Sequence, residues 1–175
     1  MATSVRIFAP TAPHTYTIVF LHGRGSNGRV FCDELFESED SSDRFFIGIF
    51  PGIKWVFPRA TESYAKSEGE FQWFDMSSVQ RPQVNSEMQK IGLWHSVAQV
   101  LQVVKEEADI VGNQHVMLAG ISQGCATAIF ALLASGMRIG GFLGLSGWLP
   151  LAGEVQSIMH VPGRAQDVFK MPVLL

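Results

Sequence analysis

The sequence feature that most constrains the fold is a serine placed between two glycines, in the run Gly120-Ile-Ser-Gln-Gly124. The residues before this run, 115–120, have the apolar character of a buried strand, and residues 123–135 form an apolar, alanine-rich helical pattern. A chain that passes from strand to helix over so few residues must turn sharply, so that side chains on both sides of the serine would clash. The pattern therefore predicts that Ser122 lies at the N-terminus of a helix, directly after a strand.

Strand and helix patterns alternate along the rest of the chain. Further strands are predicted over residues 15–22, 54–58 and 139–145, and residues 171–175 resemble the start of another. Further helices are predicted over 29–37 and 86–111; the longer one starts at Ser86-Glu-Met-Gln89, which fits a capping box, and stops before Gly112. The alternation predicts an α/β fold with a mostly parallel sheet flanked by helices, and the absence of a linker predicts one domain over residues 1–175.

Composition and charge narrow the classes of function. The formal net charge is −3, which argues against the basic face of a nucleic-acid-binding protein. No run approaches the about 18 apolar residues of a transmembrane segment, and the N-terminal residues do not form a secretory signal. Cys32 and Cys125 are too few for a disulfide framework or a zinc site. We therefore expect a cytoplasmic protein that binds no nucleic acid.

Two glycine-rich turns predict the parts of a nucleophilic site. A serine at a helix N-terminus faces free amides and the positive end of the helix dipole, which favour developing negative charge. The turn His22-Gly-Arg-Gly25, after the first predicted strand, is typical of a loop that supplies one amide of an oxyanion hole, and the residue after the serine supplies the other. The expected donors are the backbone N–H groups of Arg24 and Gln123. The alternatives are a tight βα turn and an ordinary glycine-rich loop; His22 is expected to be structural.

The run Gly144-Leu-Ser-Gly-Trp-Leu-Pro150 ends the strand that follows the predicted Ser122 helix. Ligands of open α/β sheets bind at the carboxyl ends of strands, so Ser146 and Trp148 are candidates for lining a substrate pocket. A tryptophan packed in the core is an equal alternative for Trp148. Asp75, after the aromatic pair Trp73-Phe74, is expected to anchor its loop by hydrogen bonds.

Four ordered motifs resemble the phospholipase/carboxylesterase family of α/β-hydrolases, which includes the acyl-protein thioesterases. They are Phe20-Leu-His-Gly-Arg-Gly-Ser26, Trp73-Phe-Asp75, Gly120-Ile-Ser-Gln-Gly124 and Gly144-Leu-Ser-Gly-Trp-Leu-Pro150. The resemblance implies a three-layer α/β-hydrolase sandwich that needs no metal or cofactor. It implies a serine hydrolase of carboxylic esters or thioesters, acting on a small acyl ester or on an acylated protein or lipid.

Carried over by position, the resemblance makes Ser122 the nucleophile and the amides of Arg24 and Gln123 the oxyanion donors, with Gly23 and Gly25 shaping the loop. It places Trp73 and Phe74 beside the acyl site. Two positions depart from the family pattern. Arg24 stands where the family often has an apolar residue, and Cys125 stands in place of a common glycine.

The remaining triad members are expected downstream of Ser122, because in this fold an acid and then a histidine follow the serine. The family's acid follows the strand that residues 171–175 begin, so we expect a chain truncated before its last strands, with strongly reduced activity. Glu154 and His160 keep the order but lie only six positions apart in one short segment. The alternative is an inactive hydrolase that serves as a binding or oligomerising module, and an uncovered C-terminal sheet edge predicts a homo-oligomer.

Overall fold

The computed structural model describes residues 4–64, 69–159 and 172–174. Within those ranges the chain forms a six-stranded sheet and a separate two-stranded hairpin. The strands of the sheet are β1 (Val5–Phe8), β2 (Tyr16–Leu21), β3 (Ile53–Pro58), β6 (Val116–Ile121), β7 (Gly141–Leu145) and β8 (Val173–Leu174), and the hairpin consists of β4 (Glu62–Ser63) and β5 (Phe71–Gln72). The helices are α1 (Gly28–Phe36), α2 (Phe46–Ile49), α3 (Ser86–Val111), α4 (Gln123–Ser135) and α5 (Ala152–Met159), with a 3₁₀ turn at Asn113–His115.

The strand order in the sheet is β1-β3-β2-β6-β7-β8. All neighbouring pairs run parallel except β1 and β3, which are antiparallel. The predicted α/β class and mostly parallel sheet are therefore confirmed. Neither β1 nor the β4–β5 hairpin was predicted, because β1 is a short, largely exposed strand and the hairpin strands are two residues each.

Alternate residues of the central strand β2 face two different apolar layers. Val19 and Leu21 pack into the larger cluster with residues of α3 and α4, whereas Ile18 and Phe20 pack into a second cluster with α1. This period of two places helices on both faces of the sheet. The resulting order, α1 on one face and α3 with α4 on the other, is the predicted three-layer sandwich.

The ends of α3 show one wrong and one correct prediction. The helix does not begin with a capping box, because Asn85, in the left-handed region at φ 56°, is the N-cap and its side chain makes no capping bond. The side-chain nitrogen of Gln89 instead donates to the carbonyl of Pro82 at 2.6 Å. The predicted stop is confirmed, since Gly112, with φ 86°, follows the last helical residue. Among the described helices, none combines the length and apolarity needed to cross a bilayer.

Candidate active site

Ser122 lies in the sharp turn between β6 and α4, with φ 53° and ψ −121°. Its amide donates to the carbonyl of Leu145 on the neighbouring strand β7 at 2.8 Å, and its carbonyl accepts from Ala126 in the first turn of α4 at 3.0 Å. A positive φ is costly for a residue with a Cβ, and such strain persists only where the surrounding structure imposes it. The strand before Ser122 and the helix after it thus hold the serine half-buried at the carboxyl edge of the sheet.

Both glycines around Ser122 are required by backbone contacts. A Cβ on Gly120 would lie 2.6 Å from the carbonyl oxygen of Gly124, and a Cβ on Gly124 would lie 2.4 Å from the carbonyl oxygen of His22. Because backbone atoms cannot move aside as a flexible side chain can, neither position tolerates a larger residue. The close approach of Gly124 to His22 also packs the start of α4 against the end of β2.

The loop after β2 brings its own backbone beside the serine. A Cβ on Gly23 would lie 3.8 Å from the Cβ of Ser122, and Gly25 adopts φ 81°, which favours glycine. Within the part of the chain that the structure describes, the amides of Arg24 and Gln123 have no hydrogen-bond acceptor. Two N–H groups near a strained serine are thus free for a ligand oxygen.

The side chains of these two residues are firmly held. The Arg24 guanidinium donates to the carbonyl of Met76 at 2.9 Å and to the side-chain oxygen of Gln72 at 3.2 Å, and it lies 4.5 Å above the ring of Tyr64. The buried side-chain oxygen of Gln123 accepts from the backbone N–H of Trp73 at 3.0 Å. Sequence reasoning considered only the backbone of Arg24 and Gln123, because contacts across about 50 positions leave no local signal.

Trp73 and Phe74 support the site from beneath and do not line it. Both side chains are fully buried, and the indole N–H of Trp73 donates to the carbonyl of His22 at 2.8 Å. They therefore present no exposed surface, and their place beside the acyl site stays a prediction. The predicted anchoring by Asp75 is wrong: its side chain is exposed and hydrogen-bonds to none of the described residues.

The chemistry of His22 excludes it as a base for Ser122. Its Nδ1–H donates to the carbonyl of Gly23 at 2.7 Å, and its Nε2 accepts from the amide of Ala60 at 3.2 Å. Both nitrogens are occupied in the neutral tautomer, and burial lowers the pKa of the imidazole to about 4. His22 is therefore a neutral structural side chain, as predicted.

The other described histidines are engaged away from Ser122 or lie on the surface. His14 bonds to Thr17 at 3.0 Å, His115 bonds to the carbonyl of Val111 at 2.8 Å, and His95 is exposed on α3. Over residues 4–64, 69–159 and 172–174, no side chain hydrogen-bonds to the Ser122 hydroxyl.

Glu154, one member of the candidate acid–base pair, is bound to a cation on another helix. The carboxylate of Glu154 forms an ion pair with Lys90 at 2.5 Å, which links α5 to α3. Glu154 is thus held by a cation on another helix, and His160 lies outside the described residues.

Comparison with known proteins agrees with this geometry. Residues 2–171 match the family model described as phospholipase/carboxylesterase. The chain belongs to the phospholipase/carboxylesterase family. It is 29% identical over 170 residues to acyl-protein thioesterase 1 of Yarrowia lipolytica, covering 95% of this chain and 71% of the relative. It is also 29% identical over 173 residues to acyl-protein thioesterase 1 of Schizosaccharomyces pombe, covering 97% and 70%.

The fold of this phospholipase/carboxylesterase family member is that of solved esterases. The structure of Zea mays acyl-protein thioesterase 2 superposes with a TM-score of 0.72 at 24% identity, over 98% of this chain and 74% of the plant protein. The α/β-hydrolase fold is thus confirmed. By family, the chain is a serine hydrolase of carboxylic esters or thioesters.

A cavity of about 540 Å³ opens beside the C-terminal end of β7 in this family member. Trp148 lines it, with its ring packed edge-on against Phe74 at 6.3 Å and its indole N–H buried without a partner among the described residues. Ser146 is exposed just before it, at φ 52°. The rest of the wall comes from the start of α3 and the loop into α5: Pro82, Gln83, Ser86, Glu87, Lys90, Leu149, Pro150, Leu151, Ala152, Gly153 and Glu154.

Proposed function

We propose that this chain cleaves carboxylic esters or thioesters by way of an acyl-enzyme formed on Ser122. The observation that carries the proposal is the strained serine of the β6–α4 turn, which lies beside the loop bearing Arg24 and directly before Gln123, both with free amides. Strain of this kind is found where the surrounding fold imposes a functional geometry. Free N–H groups near the serine can bind an oxygen that becomes negatively charged.

In the proposed reaction, the Ser122 hydroxyl oxygen attacks the acyl carbonyl carbon and gives up its proton to a base. The carbonyl oxygen becomes an oxyanion that accepts hydrogen bonds from the amides of Arg24 and Gln123. The oxyanion then re-forms the carbonyl as the bond to the alcohol or thiol breaks; the leaving group takes the proton from the base and departs, and the acyl group stays on Ser122. Water attacks this ester, and the acid is released with the serine restored.

The identity of the base sets the expected rate. Each described histidine is either bound elsewhere or exposed on α3, and Glu154 is paired with Lys90. An oxyanion hole and binding alone retain about 10³–10⁴-fold catalysis over water. We therefore propose that the described residues by themselves support only this residual level. Substitution of His160 with alanine tests whether that imidazole adds to it, and Glu154→Gln is expected to change nothing.

The substrate class rests on the relatives. The two relatives described above are named acyl-protein thioesterases. We propose an acyl group carried by a protein, a lipid or a small alcohol as the substrate, in the cytoplasm. Matched ester and thioester substrates with acyl chains of increasing length would rank these choices.

A fluorophosphonate probe tests the nucleophile directly, because it reacts with activated serines. We expect the protein to be labelled slowly, in keeping with the residual level of catalysis proposed above, and Ser122→Ala to lose the label. Ser146→Ala is the matched control, since Ser146 is exposed and has nearly the same φ. Labelling that persists in Ser122→Ala, or a folded wild type that never labels, would contradict the proposed nucleophile.

A second candidate function is that of a binding or oligomerising module. The observation in its favour is the sheet edge at β8, where Val173 and Leu174 are 53% and 67% exposed. Apolar edge strands can pair with another chain, so we propose a homodimer through this edge. Light scattering tests it: we expect a dimer that Val173→Lys converts to a monomer. A monomeric wild type contradicts this interface without affecting the labelling result.

A further inference from the structure

The two residues whose amides face the proposed oxyanion are both tied, through their side chains, to one short segment. This segment, residues 72–76, is called the brace below. We propose that the brace sets the positions of both amides, and that the side chains of Arg24 and Gln123 are positioning residues for hydrolysis. This inference rests on the proposed function, because it assigns a role within that reaction.

The side chain of Gln123 forms two hydrogen bonds to the brace in the core. Its side-chain oxygen accepts from the N–H of Trp73 at 3.0 Å, and its side-chain nitrogen donates to the carbonyl of Phe74 at 2.7 Å. The side chain of Gln123 is fully buried, as are those of Trp73 and Phe74. Hydrogen bonds in such a site are costly to leave unmade, so the first residue of α4 is held in one place.

The side chain of Arg24 forms hydrogen bonds to both ends of the brace. Nε donates to the side-chain oxygen of Gln72, and Nη2 donates to the carbonyl of Met76. The planar guanidinium offers several donors in a fixed arrangement, so two bonds define its orientation and restrict the loop that carries the Arg24 amide. This use of the side chain gives a physical reason for arginine at a position where an apolar residue would leave the loop without these bonds.

The brace itself is fixed by other elements. The carbonyl of Trp73 accepts from the hydroxyl of Ser96 on α3, and the Trp73 indole N–H donates to the carbonyl of His22 at 2.8 Å. Both oxyanion amides are therefore held by the brace, which itself packs on α3 and on the end of β2. Such preorganisation matters because an oxyanion donor acts only when it lies within about 2.7–3.1 Å of the developing charge.

Side-chain substitution tests positioning without deleting a donor, because every variant except proline keeps the backbone N–H. Here kcat is calculated per molecule whose Ser122 the fluorophosphonate probe can label in a parallel sample. We expect Gln123→Met to lower this kcat by about 10- to 100-fold, with KM within about threefold. This loss is smaller than the loss expected when a whole oxyanion donor is removed. Arg24→Met is expected to lower kcat by about tenfold, with partial rescue in Arg24→Lys, which retains one of the two bonds.

Two controls separate positioning from general loss of stability. Gln99 is also a buried glutamine, and its side-chain amide donates to the carbonyl of Arg59 at 2.7 Å, away from the brace. Gln99→Met should destabilise the protein to unfolding by urea yet leave kcat per labelled serine unchanged. Arg29→Met, at an arginine whose side chain is 83% exposed, should change neither quantity. Equal losses of kcat in Gln99→Met and Gln123→Met would overturn the proposal.

A measurement independent of turnover separates failure of the brace from failure of the proposed function. Backbone ¹⁵N relaxation reports the order of the Arg24 and Gln123 amides directly. We expect their order parameters to fall in Gln123→Met and Arg24→Met and to stay unchanged in Gln99→Met. Unchanged order in the two brace variants would overturn the proposal. A wild type that neither labels nor hydrolyses esters refutes the proposed function, and the order parameters then still decide the brace.

Discussion

The two ends of the parallel strands carry buried polar groups that are arranged in opposite ways. At the amino end, Lys54 forms an ion pair with the buried carboxylate of Glu107 at 2.7 Å, and the Thr17 hydroxyl donates to the other oxygen of that carboxylate at 3.2 Å. At the carboxyl end, the polar groups around Ser122 are backbone amides, two of which have no acceptor among the described residues. At the amino end both oxygens of the carboxylate have partners, whereas at the carboxyl end two amides have none among the described residues.

This difference separates stability from function within one sheet. A carboxylate whose oxygens are both bonded has no remaining role other than to hold β2, β3 and α3 together. Free amides and a strained serine cost stability and are useful only when a ligand binds, which matches the tendency of open α/β sheets to bind ligands at the carboxyl ends of strands. A change at one end of the sheet should therefore spare the other end.

The largest effect is expected at the contact between α4 and β2. In Gly124→Ala, the new Cβ would lie 2.4 Å and 2.5 Å from the carbonyl oxygens of His22 and Leu21. Because both are backbone atoms, we expect a loss of about 3 kcal/mol or more in the free energy of unfolding, together with loss of labelling at Ser122. Gly48→Ala is the control, since a Cβ there has no neighbour within 4 Å. Equal denaturation midpoints for the two variants would contradict the required close approach.

The next effect is a pH dependence that comes from His22. Its pKa is about 4 in the folded protein against an ordinary value of 6.5, so the unfolded chain binds a proton that the folded chain does not. The contribution of His22 to the free energy of unfolding is therefore constant above pH 6.5 and falls as the pH drops from 6.5 towards 4, by roughly 3 kcal/mol in total. Urea titrations of the wild type and His22→Asn check this. The wild-type curve should fall more steeply over that window; parallel curves would contradict a buried neutral imidazole.

These two positions also show what the sequence could and could not reveal. The need for glycine at 124 follows from a local pattern, strand then turn then helix, and the structure agrees with it. The hydrogen bond from Ala60 to His22 joins residues 38 positions apart, and no local sequence pattern predicts it. The full burial of Trp73 and Phe74 could not be predicted either, because a sequence does not show which face of a loop is buried.

A smaller effect is expected at the amino end of the sheet. Glu107→Ala removes the partner of Lys54, whose side chain is 17% exposed and can therefore reach water in part. Breaking a fully buried pair costs about 3–5 kcal/mol, so we expect about 2 kcal/mol here. Labelling of Ser122 should keep its rate. Chemical denaturation and the labelling time course measure the two outcomes, and slower labelling in a fully folded sample would mean that the two ends of the sheet are coupled.

The smallest effect concerns the strain at Ser122 itself. Glycine adopts φ 53° and ψ −121° without the penalty that a Cβ imposes, so Ser122→Gly should stabilise the protein by about 1 kcal/mol. Ser122→Ala abolishes the same nucleophile but keeps the Cβ, and we expect its stability to match the wild type. A difference between these two variants isolates the backbone cost from the loss of the hydroxyl. If glycine gave no advantage over alanine, the strain would not be stored at this residue, and the fold would present the serine at no cost to its own stability.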